Sequence, residues 1–225
     1  RSVTSADLSR RAVVWDVATA RERTAVACGG AGGRGWRFEY PPFALSADGR
    51  RLAAARSDGG QSAGAVRLWD LAAGRHDGDL EGVRDGVGSA AFAADGSRVA
   101  VASGANVAVY DAATRRPVAQ FSGGPPEMRI VALSLSPDGA TVAVVCEGSE
   151  APGKPPTGVY FFDAATGRRL GKRMPFDGAN LRLTFAPDGK TFAASGSGHP
   201  SLWAADRSLV RKLDRPAPGD GELHW

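Results

Sequence analysis

Two short patterns recur along this chain in fixed phase, and they restrict its fold more than any other feature. An Asp-Gly pair stands in nearly one context four times. The copies are Ser46-Ala47-Asp48-Gly49, Ala93-Ala94-Asp95-Gly96, Ser136-Pro137-Asp138-Gly139 and Ala186-Pro187-Asp188-Gly189. Their aspartates are 47, 43 and 50 residues apart. A second series sets an aromatic residue before aspartate: Trp15-Asp16, Trp69-Asp70, Tyr110-Asp111, Phe162-Asp163 and, with alanine instead, Trp203-Ala204. Its spacings are 54, 41, 52 and 41. The Asp-Gly pair precedes the aromatic in every full period. Two markers held in phase in this way indicate a repeated supersecondary unit.

Each unit has the same parts. Apolar residues alternate before the Asp-Gly pair: Phe43 and Leu45, Ala90 and Phe92, Leu133 and Leu135, Leu183 and Phe185. A period of two implies a strand with one buried face. The pair then reverses the chain, its glycine free to take positive φ. Second strands begin at Leu52, Val99, Val142 and Phe192, and third strands end on the aromatic, as in Val66-Arg67-Leu68-Trp69. A polar turn follows, such as Asp70 to Arg75 or Asp163 to Arg168, and a weaker fourth strand such as Pro117 to Phe121 closes the unit.

Four antiparallel strands every ~40–45 residues resemble the blade of the WD40 β-propeller family. Ser136-Pro137-Asp138-Gly139 with Phe162-Asp163, and the segment Val66 to Arg75, carry the likeness most specifically. The resemblance implies an all-β propeller. Trp15, Trp69, Tyr110, Phe162 and Trp203 would be blade core, and Asp16, Asp70, Asp111 and Asp163 would sit at the turns after them. The chain departs from the family in having no Gly-His pair at the start of any repeat. The His-to-Asp network that stiffens many such blades is therefore expected to be missing, with apolar stacking in its place. Four complete blades are expected at 38–81, 87–122, 129–175 and 180–214, with partial ones at 1–27 and 221–225. The chain then reads as a fragment of a larger propeller, because both ends stop within the pattern. The alternative is a closed five-blade ring in which Glu222 to Trp225 pairs beside Ser2 to Ser5.

Composition narrows the function classes. The net charge is +4, from 24 Arg and 4 Lys against 24 acidic residues. These cations are spread out rather than gathered into a stripe, which argues against nucleic acid as a partner. Arginine bias with heavy Ala and Gly usage fits a GC-rich bacterial genome. The longest apolar stretches, such as Val142 to Cys146, are far too short to span a bilayer. Cys28 and Cys146 cannot build a disulfide framework, which fits a reducing cytoplasmic compartment.

Several motifs lose their chemistry in context. Gly30-Ala31-Gly32-Gly33-Arg34-Gly35 matches a dinucleotide fingerprint, but Tyr40-Pro41-Pro42 soon after it prevents the helix that such a site needs. Gly148 to Lys154 begins like a phosphate loop, yet Pro155 stands where a hydroxyl must bind magnesium. His76, His199 and His224 have no ligand spacing, and the Asp-Gly aspartates stand singly, without the oxygen cluster that calcium requires. No catalytic residue, cofactor or metal is expected.

The function expected is that of a non-catalytic protein-binding scaffold. In WD40 proteins the loops that lead into each blade and those joining its middle strands share one face. Here they carry Arg34, Trp36, Arg37, Tyr40, Arg84, Met128, Arg129 and Arg182, plus the segment Glu147 to Pro156. Arg, Trp and Tyr favour interface hot spots, and the basic balance suits an acidic protein surface. Two alternatives stand beside this reading. One is a propeller hydrolase or lyase with convergent groups at the central channel. The other is the sensory or docking tail of a larger signalling protein resembling a kinase or sigma factor fused to such repeats.

Overall fold

The repeats become separate antiparallel sheets in the computed structural model. It describes residues 2–6, 11–27, 43–57, 64–83, 86–148, 157–176, 181–197 and 200–213, and no helix occurs among them. None is therefore long and apolar enough to cross a membrane. The first sheet holds β1 (Ser2–Ala6), β2 (Arg11–Asp16) and β3 (Arg21–Ala27). The second holds β4 (Phe43–Leu45), β5 (Arg51–Ser57), β6 (Gly64–Asp70) and β7 (Arg75–Asp79). The third holds β8 (Val87–Phe92), β9 (Arg98–Ser103), β10 (Asn106–Asp111) and β11 (Pro117–Ser122). The fourth holds β12 (Arg129–Leu135), β13 (Thr141–Glu147), β14 (Gly158–Asp163) and β15 (Met174–Pro175). The fifth holds β16 (Arg182–Phe185), β17 (Thr191–Ser195), β18 (Ser201–Ala204) and β19 (Leu209–Lys212). Each sheet is a meander in chain order, and β4, β8, β12 and β16 lie beside one another in that sequence.

One apolar layer fills the space between each sheet and the next. The strands behave differently from the one-sided reading of their sequence. In β9, Val99 and Val101 pack toward the second sheet while Ala100 and Ala102 pack toward the fourth. In β13, Val142, Val144 and Cys146 face the third sheet, and Ala143 and Val145 face the fifth. Strands buried on both faces need apolar residues at every position, so their runs look continuous rather than alternating. The first strand β12 is two-sided as well, with Ala132 in one layer and Leu133 and Leu135 in another. The face turned toward the preceding sheet is often bulkier. Leu52, Val99, Val142 and Phe192 occupy it at one register position, and Ala53, Ala100, Ala143 and Ala193 follow them on the opposite face.

The third-strand aromatics also point toward the preceding sheet. Each pairs across the ladder with the bulky second-strand residue: Trp69 with Leu52, Tyr110 with Val99, Phe162 with Val142 and Trp203 with Phe192. Tyr110 and Phe162 are buried, whereas Trp69, Trp203 and Trp15 are half-buried. Size accounts for part of the difference, because an indole at the end of a strand reaches the sheet margin before it is covered.

Turn chemistry supplies the stitching at one end of every sheet. In all four Asp-Gly turns the glycine amide donates to the carbonyl three residues back, at 2.8–3.0 Å, and the glycine φ is +68 or +69°. Asp138 accepts from the Ser136 hydroxyl at 2.6 Å and from the Ala140 amide at 3.0 Å, and Asp48 repeats the pattern with Ser46 and Arg50. Asp95 and Asp188 accept the amides of Ser97 and Lys190. In the other turn, Asp16, Asp70, Asp111 and Asp163 each accept two amides from the residues just after them. Backbone bonds then tie the two turns of each sheet together: Leu71 to Arg50, Ala112 to Ser97, Ala164 to Ala140 and Ala205 to Lys190, at 2.7–2.8 Å. His76 does bond Asp79, at 3.0 Å, but both belong to the single outer strand β7.

Candidate functional site

The meander topology sorts the connections into two kinds. In the four-stranded sheets, turns between first and second strands and between third and fourth share one end, as does the β2–β3 turn of the first sheet. There aspartates and backbone carbonyls accept from the turn amides. The strands' opposite ends lead into residues 7–10, 28–42, 58–63, 80–86, 104–105, 123–128, 148–157, 176–181 and 196–200. This is the end to which the sequence assigns the candidate binding residues.

Of those residues, Arg34, Trp36, Arg37, Tyr40 and Arg84 lie outside the described residues, as do Cys28, His199, His224 and the segment 149–156. Arg129 and Arg182 are the first residues of β12 and β16, strands that lie side by side, and both are exposed. Arg129 reaches Glu147 at the end of β13, with Nη2 to Oε2 at 3.1 Å. With 57% of its side chain exposed, this pair is solvated and contributes little stability. Arg182 donates to its neighbour's carbonyl at Leu181, at 3.3 Å. Both guanidiniums thus keep donor capacity directed toward solvent.

Met128, grouped with them by sequence position, turns inward. It is buried, and its sulfur accepts a contact from the Tyr160 hydroxyl at 3.5 Å. The segment Gly123 to Met128 presses close over this spot. A Cβ on Gly124 would lie 2.7 Å from the Cys146 sulfur, and one on Gly123 would lie 2.5 Å from Ile130. Cys146 is free and fully buried, and its thiol approaches the Gly123 carbonyl at 3.4 Å. Burial pushes that thiol up to about 12, so it stays protonated and unreactive at neutral pH. The arginine of Arg169 lies over the Tyr160 ring, 4.7 Å from its centre. These contacts make a rigid floor beneath Arg129 rather than a reactive centre.

A cleft of about 620 Å³ opens between the second and third sheets, beside Val83, Val101, Asn106, Ala108, Tyr110 and Gln120. Ala108, two residues before the third-strand aromatic, stands in this lining where the fourth sheet has Tyr160. None of the side chains lining the cleft is charged. Its polar lining comes from Ser103, Asn106, Tyr110, Gln120 and Ser122, which suits a neutral polar group. Sequence reasoning missed it because a cleft depends on how distant segments pack together, which no local pattern records.

Among the described residues, no group of three or more His, Cys, Asp or Glu is placed to hold a metal ion. No family model matches the chain, and no curated protein matches it.

Proposed function

We propose that this chain is a run of WD40-type propeller blades that works as a docking platform for other proteins, without catalysis of its own. The observation that carries the reading is the asymmetry between the two ends of the sheets. At one end, aspartates and backbone carbonyls already consume the turn amides. At the other, the exposed arginines Arg129 and Arg182 open neighbouring strands on a base of closely packed sheets. A rigid base limits the entropy lost on binding, and exposed arginine gives directional donors to a partner. The propeller assignment is supported by meander sheets stacked in chain order, with the first strands side by side and each aromatic turned toward the sheet before it. The basic balance favours an acidic partner surface.

The test is partner capture from the source cells followed by measurement with the purified partner. Trp36→Ala/Arg37→Ala and Arg129→Ala/Arg182→Ala are expected to weaken binding by about tenfold or more. Arg75→Ala and Arg168→Ala, at the tight-turn end, are expected to leave it unchanged. Loss with the second pair alone moves the site to the opposite face. Failure to retain any specific partner removes the scaffold reading.

A further inference from the structure

Among the described residues, every sheet ends in an outer strand that pairs on one side only: β3, β7, β11, β15 and β19. Such an edge offers unpaired backbone groups to another chain unless something blocks it. Four of the five carry a proline or charges of both signs. Strand β3 opens with Arg21-Glu22-Arg23, and β7 holds Asp79 clamped by Arg67 at 2.9 and 3.3 Å. Strand β11 starts at Pro117, which has no amide hydrogen, and β15 is two residues long and ends in Pro175. Strand β19 has neither proline nor mixed charge, and all four of its residues are exposed. Leu209, Val210 and the adjoining Leu213 are 45%, 55% and 40% exposed. They account for three of the five exposed large hydrophobics among the described residues, and they sit along one free edge.

The charges on this edge have one sign. Arg211 stands across from Leu202 on one face and Lys212 across from Ser201 on the other, and among the described residues neither has an acidic partner. A second copy pairing antiparallel through β19 would set these cations against one another, and like charges opposite each other destabilise a ladder. An acidic strand meets no such penalty. We propose that the free edge of β19 docks an extended segment of another protein, apolar at its ends and acidic at its centre, which adds to the fifth sheet as an outer strand. This site is independent of the loop face. Leu209 and Leu213 would flank the incoming chain with apolar contact, while Arg211 and Lys212 meet its carboxylates on the two faces.

The edge can be blocked without breaking the sheet. The Leu213 amide donates inward, to Pro200, at 2.8 Å. Amides alternate in direction along a strand, so that of Lys212 points outward. Lys212→Pro therefore removes a docking donor and leaves the ladder to β18 intact.

The experiment titrates the whole chain into two labelled peptides, followed by fluorescence anisotropy. One has the sequence acetyl-Thr-Val-Glu-Glu-Val-Thr-amide, and the other has lysines in place of the glutamates. The glutamate peptide is expected to bind at least about tenfold more tightly, with the difference shrinking as salt rises. Lys212→Pro is expected to abolish binding, and Arg211→Glu/Lys212→Glu to reverse the preference. That reversal is a gain of binding, which unfolding cannot imitate. Equal binding of both peptides, or binding that survives Lys212→Pro, overturns the proposal. So does a dimer in sedimentation that Lys212→Pro dissolves, because the occupant would then be a second copy.

Discussion

Replacing Phe192 by alanine tests the arrangement of the layers at a single side chain. Phe192 has no exposed surface, and it sits in β17 facing the fourth sheet. Its ring centre lies 5.5 Å from that of Phe161, 5.8 Å from Phe185 and 6.4 Å from Trp203, the last nearly parallel. Burial of a phenylalanine side chain contributes about 1.5–3 kcal/mol. The cavity left where three aromatic neighbours cannot all collapse adds roughly 1–2 kcal/mol. Phe192→Ala should therefore cost about 3–5 kcal/mol. Phe192→Val should cost clearly less, because Val99 and Val142 fill the same register position in the third and fourth sheets. Trp69→Ala should also cost less despite the larger ring, since Trp69 is half-buried and its buried indole N–H has no hydrogen-bond partner to lose. The assay is urea unfolding followed by circular dichroism, with midpoints and slopes compared across the three variants. A loss below about 1 kcal/mol for Phe192→Ala, or a larger loss for Trp69→Ala, would refute the layer assignment.

Three other outcomes follow from the turns. Gly139→Val should destabilise by about 2 kcal/mol in the same assay, because the residue is left-handed at φ +68° and a Cβ would lie 3.3 Å from both Ala93 and Arg98. Ala20→Gly should stabilise by roughly 0.5–1 kcal/mol, since Ala20 is exposed and holds φ +52° without needing its methyl. Asp138 is held below the ordinary 3.8, first by the Ser136 hydroxyl and then by the Ala140 amide. Asp163 is held down by the Thr166 hydroxyl and then its amide. Carboxylates lowered on folding stabilise the native state above their unfolded value and cease to do so as pH falls through the folded one. Urea midpoints should therefore stay level from pH 7 to about 5 and drop below about 4. Asp138→Asn should flatten part of that drop.

The periodic part of this protein was legible because turn chemistry is local. Asp48-Gly49 and its copies specify a hairpin through bonds that span at most five residues, so reading them required no knowledge of the rest of the fold. The same holds for the aspartates after the aromatics, and the strands fall between these two sets of turns. The candidate site was legible only in part. Arg129 and Arg182 emerge on neighbouring strands and exposed, but Met128, beside Arg129 in sequence, is buried against Tyr160. Met128 lies in the bend just before β12, and whether such a residue turns inward depends on the sheet packed against it, which its sequence neighbours do not show.

The sequence by itself determined the repeat, its four-strand content and the residues that turn the chain. Tertiary structure alone decided which layer each apolar residue joins, so that β9 and β13 bury both faces while β19 buries neither. It also decided that Tyr110 would be covered and Trp69 left half in solvent, and that a cleft would open beside Ala108. The physical reason is range. A turn is closed by groups a few residues apart, whereas the burial of a strand face depends on a sheet some 40–50 residues away in the chain.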